Sequence, residues 1–482
     1  MRSNIDIKLN NDKLQYFIAK VKDIPNLQVP ELKRIPFGWT AVPVVESSLN
    51  CALKFSWTPK LLINEAVRLR ITIALDVREE KLIEVFLIDS GEIIGEFDIK
   101  YAHVFEVFEI ELKAEHAVKA LKEGIGLRMI KGSNPLWIFS SSNTSADKLF
   151  SPHILIAKET DKLQEFYSRM CSLASVQPFG WMEGCVLDGL MDLGSLALKE
   201  RAYDTIKNHL SLFFDKTGIL KYENPRSEVV DGMINGIETC LPFAVIAKVF
   251  PRHPSLDVAI EYWCSHINKE GSIQDGDMLS AEGSYTVAYP LAVLAKQRNR
   301  DDLAKLAIRQ LMIGKEKLAD GDKIHLRTFS DNTHTFTNWG RAYAWYMLGL
   351  VRTIIELDGS YDVNELKREF ERVADQALTF QQKDGLWCCF VDDVSKMADN
   401  SCSAGIAAAI ALGIKNNILP DRFSICTNMA LIALQKCLTP DGLLTGVAQS
   451  NKGGEELQRG EYRVISQMAM GLMAQLIGNQ KG

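Results

Sequence analysis

In the stretch NWGRAYAWYMLG (338–349), Arg341 follows Trp339 by two places and precedes Trp345 by four. An arginine fork matches a carboxylate with two parallel hydrogen bonds, and flat indoles stack on the apolar faces of sugar rings. Carboxyl groups able to move a proton stand in similar contexts elsewhere, Asp231 in VVDG and Glu282 in SAEGS, and Glu183, after Trp181 in FGWMEG, could bind a hydroxyl. His325 and Arg327, in IHLRTF, and His334, in DNTHTF, lie on the segment leading to Arg341, which reads as a loop. Acids for proton transfer, a guanidinium and indoles together suit a sugar that carries a carboxylate.

Each residue also has a plainer reading. Arg341 could pair with a loop acid while the tryptophans fill core. Asp231 and Asp399 could be helix N-caps, a role short acids fill well. Asp275 and Asp277, in QDGD, read as solvated turn residues. Glu282 caps poorly, and its small neighbours Ser280, Ala281, Gly283 and Ser284 leave space beside it.

These residues need elements to bring them together. From about residue 160 onward, six segments share one design: a polar or aromatic entry, then a helix rich in small apolar residues. They begin at FGWMEG, VVDGMINGIETCLPF, SAEGSYTVAYP, NWGRAYAW, ADNSCSAGI and YRVISQMAM. They recur about every 50 to 60 residues, a period that signals a repeat architecture. Helices with one polar face, such as NELKREFERVADQALTF, alternate with them. Helices apolar all round must be buried and striped ones face water, so two concentric rings, an (α/α)6 toroid over 156–482, is the expected fold; an open solenoid is the competitor. In a toroid the entries would share one rim, where unpaired helix N–H groups favour an anionic or polyhydroxylated guest.

Residues 1–155 differ. Short alternating runs such as VRLRITIALDV, KLIEVFLID, IGLRMI and HILIA, broken by turn residues and by one helical piece, AEHAVKALKEG, predict an antiparallel β-sandwich. The chain is thus expected to be an α+β multidomain protein.

Composition narrows the partners. The 482 residues carry 55 Lys and Arg against 61 Asp and Glu, net −6, with no basic block, which argues against nucleic acid. No signal-peptide run or membrane span is expected, and the ten scattered cysteines, without a CxxC pair, read as reduced thiols of a cytoplasmic protein. No metal-ligand spacing, Walker loop, GxSxG or dinucleotide fingerprint fits its context, so neither metal nor cofactor is expected.

WGRAYAW resembles the Trp-Gly-Arg-Gly-Asn-Gly-Trp signature of the unsaturated uronyl hydrolases, glycoside hydrolase families 88 and 105. DNSCSAGIAAAIALGI resembles their Glu-Ser-Ser-x-Ala helix, and DGLLTGVAQ with its following Gly-rich loop and last helix resembles their closing segment. The resemblance spans about 160–480 and implies a cofactor-free (α/α)6 barrel. Its substrate would be an oligosaccharide ending in a 4,5-unsaturated glucuronyl or galacturonyl residue. In that family an acid protonates the double bond, water adds at C5, and the hemiketal falls apart. Two aspartates at the starts of the second and third inner helices serve this. By position Asp231 matches the first, and Glu282 takes the place of the second as proton donor. On this reading Arg341 clamps the carboxylate with His325 beside it, Trp339, Trp345 and Trp181 stack on rings, and Asp231 positions water or a hydroxyl. The two glycines that follow the arginine in the family's motif are Ala342 and Ala344 here, and its asparagine is Tyr343. A hydrolase or lyase of saturated uronic-acid glycans on the same barrel, or a non-catalytic sugar-binding relative, remain open.

Overall fold

The computed structural model describes residues 13–46, 52–58, 67–140, 148–395 and 397–481. Its first part is built from β1 (Leu14–Ile18), β2 (Lys20–Lys22), β3 (Ala41–Val44), β4 (Leu53–Ser56), β5 (Val67–Thr72), β6 (Glu80–Leu87), β7 (Ile93–Lys100), β8 (Val107–Leu112), β9 (Ile125–Lys131), β10 (Leu136–Phe139) and β11 (His153–Ala157). One sheet has the order β1-β11-β5-β8, a second β2-β4-β9-β6-β7, and β10 pairs with β3. The pairings are antiparallel. Opposite charges fix the β5–β8 register, with Arg68 facing Glu111 and Arg70 facing Glu109. The helical piece is α1 (Ala114–Glu123).

The second part is helical: α2 (Lys162–Met170), α3 (Trp181–Leu193), α4 (Lys199–Phe213), α5 (Pro242–Val249), α6 (Ser255–Ser265), α7 (Tyr289–Arg298), α8 (Asp301–Leu318), α9 (Gly340–Leu357), α10 (Asn364–Thr379), α11 (Asn400–Lys415), α12 (Ser424–Lys436), α13 (Gly454–Arg459) and α14 (Gln467–Asn479). Two patterns alternate. In α11 each residue from Asn400 to Ile414 is buried, whereas α10 buries Leu366, Phe370, Val373, Ala374 and Ala377 along one stripe. The buried helices contact one another in sequence: α3 packs on α5, α5 on α7, α7 on α9, α9 on α11, α11 on α14, and α14 back on α3. Each of α4, α6, α8, α10 and α12 packs outside its predecessor in the chain, and α2 packs on α14. Where α3 meets α14, a Cβ on Gly189 would collide with the Gly471 carbonyl, so only glycine permits that approach.

Two entries begin later than the sequence pattern suggests. The second buried helix starts at Pro242, after a single turn over Ile237–Thr239, because Gly232 and Gly236 adopt φ of 74° and 84°, which no helix accommodates. The third opens with a π-helical turn, Ser284–Ala288, before α7. The segment expected as a loop before Arg341 is instead a small sheet. Its strands are β12 (Met278–Ser280), β13 (Ala319–Asp320), β14 (Lys323–Phe329) and β15 (His334–Thr337); the further pair β16 (Val447–Ala448) and β17 (Arg463–Val464) stands at the last entry.

The two parts are joined by buried charge. Arg70 on β5 donates to both oxygens of Asp441, at 2.5 and 2.9 Å. Arg169 on α2 donates to the same carboxylate, and Tyr16 on β1 adds its hydroxyl at 3.1 Å. These cations hold Asp441 well below the usual carboxylate range in spite of burial. Nearer the rim, Gln467 on α14 donates to the Phe105 carbonyl (2.9 Å) and Lys452 pairs with Asp76. No helix among the described residues is long and apolar enough to cross a membrane. Cys51 lies outside the described residues.

Candidate active site

A pocket of about 180 Å³ opens where the entries of the buried helices meet the sheet domain. Of the residues expected at the site, Trp181, Glu282, Arg327, Trp339, Arg341 and Trp345 line it. Its floor is aromatic: Trp181 meets Trp345 edge-on at 5.6 Å, and Tyr285 stacks against Trp345 at 6.2 Å with planes 19° apart.

Glu282 follows β12 and precedes the π-helical turn, so a widened helix start carries it into the pocket. Ser280 Oγ donates to its Oε2 at 3.1 Å. The second carboxyl is one the sequence reading passed over, Glu238, on the single turn before α5. Burial, reinforced by the charges of Glu282 and Asp275, pushes the Glu238 carboxyl up to about 8. Asp275 is not the solvated turn residue expected: it is half-buried and accepts the Ile237 N–H at 3.2 Å, capping that turn. A buried carboxyl that keeps its proton near neutral pH, with a second carboxyl in the same pocket, is a usual mark of a general acid.

Asp231 stands outside the pocket. Because the helix begins beyond Gly236, Asp231 lies in the preceding loop, where it accepts both arms of Arg34 at 2.8 and 3.0 Å and the Tyr222 N–H at 3.1 Å. Those bonds hold its carboxyl below the usual value, which suits a structural anchor. Glu183 is likewise not in the pocket; it is fully buried against His209 Nδ1 (2.8 Å) and the Gln177 N–H (2.8 Å). His325 and His334 stack on each other at 4.0 Å across β14 and β15, each bonded to a threonine, His325 to Thr337 and His334 to Thr328. Neither lines the pocket.

Arg341 reaches the pocket, but its fork is occupied. Nη1 donates to the Ala448 carbonyl (2.7 Å) and to Ser401 Oγ (3.2 Å), and Nη2 to the Gln449 carbonyl (2.6 Å). Asp399 lies 3.7 Å away, and the guanidinium stacks on Trp339 at 4.4 Å. Asp399 itself caps α11 through the Ser401 N–H, as its position before the helix suggests. Arg341 therefore splints the end of β16 to the fourth buried helix. Arg327 differs: its Nε is buried without a hydrogen-bond partner, and it has no ion pair among the described residues. Its charge also acts on Glu238 and Asp275.

The remaining wall comes from the sheet domain and the last loop. Arg78, His103 and Lys452 line the pocket. His103 stands edge-on to Trp181 at 6.1 Å, and burial among Lys452, Arg341 and Arg78 keeps its imidazole neutral, well below its ordinary value. Among the described residues no group of three His, Cys, Asp or Glu could hold a metal ion.

Paired carboxyls, stacked indoles and a partly unpaired guanidinium define the equipment of a carbohydrate-active hydrolase. The family model described as Glycosyl Hydrolase Family 88 matches residues 155–474. The chain belongs to that family, and by that membership is a glycoside hydrolase. Solved structures share the fold at low identity. A family 105 glycoside hydrolase from C. acetobutylicum is 16% identical, covering 66% of this chain and 98% of its own, at TM-score 0.58. A possible GH105 member from Salmonella enterica is 16% identical, covering 64% and 83%, at TM-score 0.56. An unsaturated glucuronyl hydrolase from a Bacillus species, responsible for degradation of glycosaminoglycan, is 14% identical, covering 66% and 94%, at TM-score 0.50. No curated protein matches the chain.

Proposed function

We propose that the chain removes a terminal 4,5-unsaturated glucuronyl or galacturonyl residue from an oligosaccharide by hydration of its double bond. The single observation carrying this is the pair Glu238 and Glu282 in one pocket, the first holding its proton to about pH 8, with Arg327 facing them. The scaffold is an (α/α)6 toroid over 156–482 behind a β-sandwich over 1–155; the unbroken circuit of contacts among α3, α5, α7, α9, α11 and α14 supports it.

The unsaturated ring lies on Trp345 and Trp181, with its carboxylate toward Arg327. Glu238 gives its proton to C4, and the positive charge that develops at C5 and the ring oxygen is met by ionised Glu282. Water adds its oxygen to C5 as Glu282 takes its proton, so the pair ends with the protons it began with. The hemiketal at C5 opens to a ketone, leaving a hemiacetal at C1 that collapses to an aldehyde and releases the aglycone alcohol. This chemistry needs a carboxyl that keeps its proton at neutral pH, which burial and the nearby charges of Glu282 and Asp275 give Glu238.

Purified protein incubated with unsaturated uronyl disaccharides should cause loss of the absorbance of the conjugated double bond, and Glu282→Gln should abolish it while leaving binding nearly intact. Release of a saturated sugar without an ultraviolet change would favour the saturated-glycan alternative. Tight binding with no product would favour a sugar-binding relative.

A further inference from the structure

The sheet domain reaches the pocket through a turn over 103–106, closed by the Glu106 N–H donating to the His103 carbonyl at 3.2 Å. Phe105 in this turn has φ of 69°, a left-handed backbone that a bulky residue keeps only where its surroundings over-determine it. Here they do. Its buried ring packs on Trp39, Phe139 and Phe150; its N–H donates to the Ile73 carbonyl at 2.8 Å, and its carbonyl accepts from Gln467 of α14 at 2.9 Å. Glu106 accepts the His103 backbone N–H at 3.0 Å and Gln449 Nε2 at 2.6 Å, and the Gln449 carbonyl is one that Arg341 holds. The backbone of His103 is thus fixed to both parts of the chain.

The side chain this frame presents is unspent. The His103 ring lines the pocket beside Trp181, and among the described residues its nitrogens make no hydrogen bond. Its cationic neighbours differ: Arg78 and Lys452 are engaged by Asp76, and Arg341 by Ala448 and Gln449. Burial and those three charges keep the imidazole neutral, so it has one N–H to give and one bare nitrogen to accept with. A polar group so firmly placed and still unpaired calls for a partner from outside the chain. We propose that His103 is a catalytic residue supplied by the sheet domain, its ring hydrogen-bonding a hydroxyl of the uronyl ring that lies on Trp181 and Trp345. This rests on the hydrolase reading above. It gives the sheet domain a part in turnover, because the ring on which Glu238 and Glu282 act is held from across the interdomain joint. An unsaturated uronyl ring leaves two hydroxyls for this contact, on C2 and C3, since C4 and C5 carry the double bond.

The test uses the full chain with an unsaturated uronyl disaccharide and the same disaccharide lacking the uronyl C2 or C3 hydroxyl. His103→Ala should lower kcat/KM on the complete disaccharide about tenfold, the scale of one lost hydrogen bond, and His103→Gln, which keeps an N–H and an acceptor, should stay within about threefold of the native protein. One of the two deoxy sugars should be poorer for the native protein by a similar factor, and on that sugar His103→Ala should cost nothing further, a pattern that lost packing would not produce. Equal losses on all three sugars in His103→Ala, a loss under about twofold on the complete disaccharide, or a Gln variant no better than the Ala variant overturns the proposal. If the native protein turns over none of the three, the hydrolase reading fails instead. Binding of the same sugars, followed by tryptophan fluorescence, then decides His103 separately: the same pattern in Kd supports it, and equal Kd for the native protein and His103→Ala, or no binding at all, refutes it.

Discussion

The pH at which activity fails on the alkaline side follows from Glu238. Its ordinary value is 4.5 and its folded value about 8. At pH 7 about nine-tenths of the molecules then hold the proton that C4 needs, at pH 8 about half, and each further pH unit removes about tenfold. The informative perturbation is Asp275→Asn, which keeps a side-chain oxygen for the Ile237 N–H but removes one of the charges raising Glu238. A fall of about one unit is the scale expected for loss of one nearby charge, and it would lower the rate at pH 8 about fivefold, from half to one-tenth of the maximum, with little change at pH 5.5. The assay is kcat/KM against pH from 5 to 10 for both proteins. A linked measurement checks the sign. A carboxyl with a raised folded value gives stability that is complete below its unfolded value, 4.5, and is lost as pH rises through about 8. Glu238→Gln, which cannot ionise, should therefore melt higher than the parent at pH 9 and lose that advantage near pH 5. An alkaline limb unmoved in Asp275→Asn, or a parent limb below pH 6, refutes the assignment of the proton to Glu238.

Arg327→Ala should lower kcat/KM on an unsaturated uronide by about 10- to 100-fold, the scale of one or two charge-assisted hydrogen bonds, with thermal stability near that of the parent; a large fall in Tm with no kinetic loss would contradict it. Arg341→Lys should do the reverse in part, costing about 1–3 kcal/mol by urea denaturation because lysine cannot bond Ala448, Gln449 and Ser401 together. Asp441→Asn should cost about 3–5 kcal/mol by leaving Arg169 buried without an anion and Arg70 with Glu109 alone. In the parent, Asp441 contributes stability present above its unfolded value and lost as the medium becomes strongly acidic, so the variant should show less acid sensitivity between pH 5 and 2.

The helices were legible because their burial is periodic. Stretches such as NSCSAGIAAAIALGIK and NELKREFERVADQALT differ in pattern as α11 and α10 differ in burial. Strands with Val and Ile in alternation were equally clear, whereas β3 (AVPV) is masked by a proline and β7 (IIGEFDIK) by a glycine. The acid on the second entry was misplaced because Asp231 sits beside a plausible helix start. The signal that corrects it was present: Gly232 and Gly236 break any helix before GIETCLP, leaving Glu238 as the acid nearest the true start. Arg341 lies on α9 and lines the pocket as expected, but two of its hydrogen bonds run to residues more than 100 positions away. Spacing along a chain carries no record of that distance. Arg78 and His103 escaped for the same reason: only the interdomain joint brings them against Trp181.

The occupied fork of Arg341 changes what its motif can be asked to report. A guanidinium that laces two carbonyls of a distant segment to a helix will be retained by selection for shape, whether or not sugar is turned over. Descendants of such a chain could lose Glu238 or Glu282 and still display the tryptophan–arginine signature intact. Sorting working catalysts from silent copies among chains of this design is therefore better done on the two glutamates than on the arginine that first draws the eye.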